Sequence, residues 1–300
     1  MDSGLKTVSP LGEGVEDQEK NAPVAKGFFR RMVQNGVAMI GLVLIMTLLI
    51  AAIFAPLLAP KSPLEMDLGK RLTAPCLQSL LGTDEFGRDI LSRILFGARV
   101  SLYVGIISVG IGLCVGGLIG VFCGFFRGKL DLLFMRLMDM LFAFPGILLS
   151  LGIVAMLGSS LQNVMIAIGI TTIPQFASVA RAATLAVRER DFVTAAEALG
   201  ASRLRIVSRH IVPNVAAPLI VQSTLGLSQA ILSEAAMSFL GLGIQPPNPS
   251  WGGMLNSGQR FMELAPWLAI FPGVAITLTV LGFNFLGDGL RDLLDPRLRQ

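Results

Sequence analysis

Long runs without a single charge dominate this sequence, and they constrain the fold more than any motif does: residues 32–60, 100–126, 140–180, 211–233 and 264–287 contain no Asp, Glu, Lys or Arg. In hydrocarbon a backbone must satisfy its own N–H and C=O groups, which leaves helices or closed barrels as spanning structures. Each run is therefore read as a membrane-spanning helix. A single crossing needs about 20 residues. The run 140–180 has 41, twice that, and the segment Gly158-Ser-Ser-Leu-Gln-Asn163 supplies a turn near its middle. The expected fold is therefore all-α and polytopic, with six transmembrane helices. A chain 53% hydrophobic and 15% charged, with mean hydropathy +0.70, is excluded from the ordinary soluble domains.

Orientation follows from Lys and Arg in the connecting segments. With the N-terminus inside, the cytoplasmic segments carry 17 and the opposite side 7, so the positive-inside rule places both termini in the cytoplasm. The basic pI near 9.2 reflects this bias, and no basic stretch interleaved with aromatics points to nucleic acid. Residues 1–27 are polar and without an apolar core, and are read as a disordered cytoplasmic tail. Residues 28–98 then hold the first span and an extracytoplasmic segment, and residues 99–300 a five-helix core. The first apolar run is too long for a signal-peptide core and is expected to remain as an anchor. Cys76, Cys114 and Cys123 are scattered and imply no disulfide framework.

Between spans four and five, residues 188–214 read RERDFVTAAEALGASRLRIVSRHIVPN. Phe192, Ala195, Ala196 and Leu199 fall at i, i+3, i+4 and i+7, one face of a helix. Gly200 reads as its C-terminal cap and Ser202 as the N-cap of a second helix, on which Leu204, Val207 and Ile211 share a face; Pro213 closes the unit. Two short amphipathic helices at a glycine elbow have no lipid reason to be ordered. Their apolar face fits either a groove on a partner protein or the headgroup layer.

Other local patterns carry expectations of their own. Gly112, Gly116, Gly120, Gly124 and Gly128 are spaced by four along the second span, which suits close packing of two helices in lipid. Residues Ile90, Leu91, Ile94, Leu95 and Ala98 line one face and Arg88, Asp89, Ser92 and Arg93 the other, which suits a helix lying at the surface before an elbow into the membrane. Upstream, Asp84, Glu85 and Arg88 belong either to that surface turn or to a contact with a docked protein. Arg136 and Asp139 sit one turn apart as a local ion pair, and Pro145, Pro174, Pro218 and Pro272 interrupt four spans. Glu234 is the one acid that splits two long charge-free stretches. It either lines a substrate path or has a structural place, reaching the outer headgroups. Trp251, in a proline-rich outer loop, is of the interfacial anchor type, and Asn284 and Asp288 approach the cytoplasmic face.

Several chemistries have no residues to carry them. No G-x-x-x-x-G-K-[ST] or G-x-G-x-x-G phosphate loop occurs, and His210 is the sole histidine, so neither a catalytic triad nor a multi-histidine zinc site can be built from this chain. No catalytic residue and no metal site is expected. A secondary transporter or channel should show internal repeats with acids near the midplane, and no clear repeat is found. An intramembrane enzyme lacks a nucleophile with an orienting base.

The string VTAAEALGAS followed by RHIVPN resembles the cytoplasmic coupling loop of ATP-binding-cassette importer permeases, whose pattern is Glu-Ala-Ala, three residues, Gly, and later Ile-x-x-Pro. Ala195, Ala196, Gly200, Ile211 and Pro213 match it, with Phe192, Leu199 and Ala201 alongside; Thr194 stands where the family has glutamate. LGTDEFGRDILSRILFGARVSL, QPPNPSWGGML and LGDGLRDLLDPRLR resemble the dipeptide, oligopeptide and nickel branch of those permeases, so the resemblance runs from Phe28 to the C-terminus. It implies a transport subunit that binds no cofactor itself, with ATP and Mg held by two cytoplasmic ATPase subunits. It also implies a second, related permease subunit, an extracytoplasmic solute-binding protein, and di- or oligopeptide cargo, with nickel chelates or glutathione as alternatives.

Overall fold

The structure is a computed structural model and describes residues 32–33 and 35–294. The tail 1–27 and the last residues 295–300 lie outside it. Among the described residues there is no β-strand, and five helices are long and apolar enough to cross a membrane. Counting one bent pair of helices as a single span makes six. Helix α1 is Gly36–Ile53, opened by Asn35, whose Oδ1 accepts from Ala38 N at 3.2 Å. The second span is α2, Ile90–Ile111, which continues through a π-type turn at Gly112–Gly116 into α3, Gly117–Phe126. The third is the pair α4, Lys129–Phe142, and α5, Gly146–Leu157; the fourth is α6, Leu161–Arg188. Short helices α7, Asp191–Ala198, and α8, Arg203–Ile206, lead through a second π-type turn, Val207–Ile211, into the fifth span α9, Val212–Phe239. Helix α10, Trp251–Gln259, precedes the last span α11, Trp267–Leu294.

The third span begins at Lys129, ahead of the charge-free run, and the interruption expected at Pro145 is a full break between two helices. Its halves meet at 88° around Ala143–Pro145, because Pro145 cannot donate an N–H and pushes its predecessor out of helical geometry. Alone, the 12 residues of α5 reach only about 18 Å, short of the roughly 30 Å hydrocarbon core.

The surface elbow expected before span two is absent. Ile90 to Phe126 form one 37-residue helix, about 55 Å long, with Asp89 as N-cap. The first turns are amphipathic because they stand beyond the core under a polar cap of the chain's own residues. Ile90, Ser92, Arg93 and Ala98 are all buried, so both faces are covered by protein, and the expected boundary at residue 98 falls inside this helix. Arg99 donates to the carbonyls of Ala52 and Ile53 at the end of α1, which satisfies the orphan acceptors of that helix terminus.

Trp251 is likewise no lipid anchor. It is 1% exposed, its Nε1 donates to Ile94 O at 3.0 Å, and its ring lies where a Cβ on Gly97 would come within 2.8 Å. With Ile231, Ala265 and Leu268 it forms a core cluster at this end of the bundle. A second cluster around Phe176 and Ile168 fills the middle, and a third around Phe125 and Ile206 fills the end bearing α7 and α8. Ile40, Val43, Leu118, Leu148 and Ile220 face outward, as expected for side chains solvated by lipid.

Candidate functional site: the loop between spans four and five

Helix α7 is closed by Gly200 at φ +77°, with Gly200 N donating to Glu197 O and Ala201 N to Ala196 O, both at 3.0 Å. These two bonds form the glycine C-cap in which the left-handed residue collects the last carbonyls. A Cβ at position 200 would meet nothing within 4 Å, so the requirement for glycine is one of backbone conformation rather than space. Ser202 then caps α8, accepting from Arg205 N at 3.4 Å.

The two sides of this loop differ sharply. Inward, Val193, Ile206, Ile211 and Val215 are at most 1% exposed and pack on Phe125 and Ala180, with Ala196 and Ala201 partly buried beside them. Outward, Phe192 is 43%, Leu199 89% and Leu204 78% exposed, and Thr194, Ala195 and Pro213 are exposed too. Of the expected apolar stripe, Phe192, Ala195 and Leu199 face away from the chain while Ala196 turns in. The second stripe is corrected: Ile206, not Leu204, is buried with Ile211. The π-type turn adds a residue to the helical register between them, which spacing alone does not reveal. That turn also corrects the expectation that Pro213 ends the unit. The helix widens just before the proline ring, so α8 runs into α9 as one 37-residue element, Arg203–Phe239.

Sequence reasoning missed what ties this loop to the bundle. Arg188 donates to Phe125 O at 2.6 Å and its guanidinium lies 5.5 Å from the Phe125 ring centroid. Arg127 pairs with Glu189, and Arg181 grips Asp131 with two bonds of 2.6 and 2.8 Å. These partners lie 50 to 63 residues apart, beyond any local periodicity. His210 packs near Phe192, ring centroids 6.1 Å apart, and Arg136 pairs with Asp139 at 3.8 Å in the open.

The glycines of span two meet α6 in order. Cβ atoms on Gly112, Gly116, Gly120 and Gly124 would run into Thr172, the backbone at Ile173, the Ala177–Ala180 turn and Thr184 respectively. Gly128 stands apart, in the turn before α4 at φ +83°. Asp84 and Arg88 are 4% and 5% exposed, so their charged groups are turned into the chain, while Glu85 beside them is partly buried. Asp84 accepts from Phe86 N and Arg88 N, both at 2.9 Å, and from Arg88 Nε at 2.6 Å; Glu85 lies 3.8 Å from the same guanidinium. The triad thus closes a turn on itself, because charges that lose water need one another. Glu234 is fully buried. Ser238 Oγ donates to its carboxylate at 2.7 Å and Ser101 Oγ, from α2, lies 3.4 Å away. It therefore neither reaches the headgroups nor opens onto a path within this subunit; it joins spans two and five.

Residues 116–300 match the family model of binding-protein-dependent transport system inner membrane components, and residues 25–75 match the N-terminal transmembrane domain of oligopeptide transport permease C. The chain belongs to this permease family. It is 45% identical over 98% of its length, and 97% of the relative's, to a dipeptide transport system permease protein of Alkalihalophilus pseudofirmus. A di/tripeptide transport system permease protein of Pseudomonas aeruginosa is 46% identical, covering 91% of this chain and 92% of the relative. A glutathione transport system permease protein of Escherichia coli is 45% identical, covering 91% and 90%. The permease is thus an inner-membrane, multi-pass transport subunit of an ATP-binding-cassette importer, a type of assembly that works with ATPase and binding-protein subunits. In that light the exposed Phe192 and Leu199 lie where the permease's loop resembles a coupling element.

Proposed function

We propose that this permease carries di- or oligopeptides into the cytoplasm, pairing with a second, related permease and receiving mechanical work from two cytoplasmic ATPases that hold the ATP and Mg. Both termini lie in the cytoplasm in this reading, since the basic residues concentrate on that side. The chain carries no ATPase site and binds no cofactor of its own. The observation that carries the proposal is the loop's division of labour: one apolar face is spent on the bundle while Phe192 and Leu199 remain open. Burying Leu199 in an ATPase groove would contribute about 1.5–3 kcal/mol, and Phe192, already half covered, roughly half as much. The Gly200 cap sets the angle between α7 and α8. Because α8 continues into α9, a push on the loop moves the fifth span as a rigid lever. Asp84 and Glu85, enclosed in their turn, act as a stiff outer support for α2 rather than as docking groups.

Glutathione, itself a peptide with free carboxylates, is the second cargo reading, on the strength of the equally similar glutathione permease. Uptake in vesicles containing the whole complex tests the proposal. Wild type should take up dipeptides only with ATP and binding protein, and Gly200→Val should hydrolyse ATP with little uptake. Full uptake by Gly200→Val at normal membrane levels, or uptake by this chain alone without nucleotide, refutes the lever.

A further inference from the structure

One cleft of about 490 Å³ opens between α6, α9 and α11, lined by Val179, Pro218, Val221, Gln222, Leu225 and Arg291 among others. Helix register explains why these residues meet. Ser228 Oγ on α9 donates to Asn284 Oδ1 on α11 at 2.7 Å, and Gly287 faces Thr224 and Leu225 one turn further on. Another turn along these antiparallel helices brings Gln222 level with Arg291. On the other side Gly226 faces Phe176, and the next turn of α6 presents Val179 at the same level.

The lining is that of a ligand site. Its volume lies within the roughly 300–1,000 Å³ of small-molecule pockets, and its wall is apolar with a few polar groups. One of those groups is buried and the other stands at the cleft's open edge. Gln222 is only 9% exposed and its Nε2 is turned away from the cleft with no hydrogen-bond partner, a state that costs free energy and that a half-turn of the side-chain amide toward a bound acceptor would relieve. Arg291, exposed at this level, makes no ion pair among the described residues. A cationic donor with a side-chain amide at the same level matches a free carboxylate with an adjacent amide.

We propose that this cleft is a subsite for the C-terminal carboxylate and last amide of a peptide leaving on the side of the coupling loop, with Arg291 holding the charge and Gln222 the second oxygen or the amide. The proposal rests on the peptide reading above. It is tested with the whole complex in vesicles, using alanyl-photoleucine as probe and its C-terminal amide as comparison. Irradiation during turnover should label residues of α9 or α11 at this level, and the amide should label them about tenfold less, the lower end of what a hydrogen bond to a charged group supports. Arg291→Gln and Gln222→Leu should each lose labelling by a similar factor. Arg291→Lys, which keeps the charge, should recover most of it, which separates binding from a folding defect. Equal labelling by acid and amide, unchanged labelling in both variants, or no labelling of the cleft while uptake is normal overturns the subsite and leaves the transport reading standing; the last result would mean the second permease fills it. Failure of the wild-type complex to take up the peptide at all removes the transport reading, and the subsite with it.

Discussion

Replacing Gly120 by alanine should separate the second and fourth spans, and the size of the effect can be worked from the packing. The added Cβ would stand 2.6 Å from Ala180 Cβ and 2.9 Å from Arg181 N, and closer still to the Ala177 carbonyl. Carbon atoms need about 3.5–4.0 Å, so α3 and α6 must part by roughly 1 Å. Backbone atoms stand in the way and no rotamer relieves them, so the loss is shared along the whole glycine stripe. Overpacking of this kind costs about 1–3 kcal/mol. It outweighs the roughly 0.5–1 kcal/mol that alanine contributes over glycine within a helix. Gly152, exposed on α5, is the control: a Cβ there would meet nothing within 4 Å, so only the helix-propensity gain acts. Thermal unfolding of purified protein in detergent should therefore rank Gly152→Ala at or above wild type and Gly120→Ala clearly below it. If both variants unfold together, close backbone approach at the glycine stripe is not what holds these spans, and the reasoning fails.

Trp251→Ala should empty the core at the capped end and destabilise by about 3–5 kcal/mol, as fully buried aromatics do, seen as lost membrane-inserted protein; Trp251→Phe should cost less, leaving the Ile94 carbonyl without its donor. Arg88→Ala leaves the Asp84 carboxylate buried without its main partner and should cost about 3–5 kcal/mol, whereas Arg127→Ala, from a pair exposed on both sides, should fall within about 1 kcal/mol by the same unfolding assay. A double-mutant cycle on Arg181 and Asp131 should return a coupling of about 0.5–3 kcal/mol, towards the lower end because Arg181 is a third exposed; additive single effects would deny that the pair pins α4 to α6. Leu199→Asp should leave the permease folded, since the side chain is 89% exposed, and should weaken capture of the ATPase subunits in co-purification.

How much of this was legible beforehand differs by kind of feature. Uninterrupted apolar length, the spacing of glycines, and capping residues such as Ser202 and Gly200 act over a few neighbours, so the count of spans, the small-residue face of span two and the elbow of the loop could be read from the chain directly. The outward position of Phe192 and Leu199 follows from the same short-range periodicity. By contrast, Leu204 and Ile206 exchange places because a π-type turn lies downstream, and nothing in a 3.6-residue period announces one.

What the sequence determined by itself is that this chain must live in a bilayer as a bundle of helical crossings, because hydrocarbon leaves the polar backbone of an apolar segment no alternative to hydrogen-bonding itself. What only the tertiary structure decided is the fate of its polar and aromatic exceptions. Trp251 meets Gly97, Asp84 turns onto Arg88 and Arg93, Glu234 finds Ser101, and Gln222 is left beside Arg291. Whether such a group is an anchor, a brace or a binding site depends on which distant segment covers it and what that segment offers in place of water, and that is a property of packing rather than of spacing.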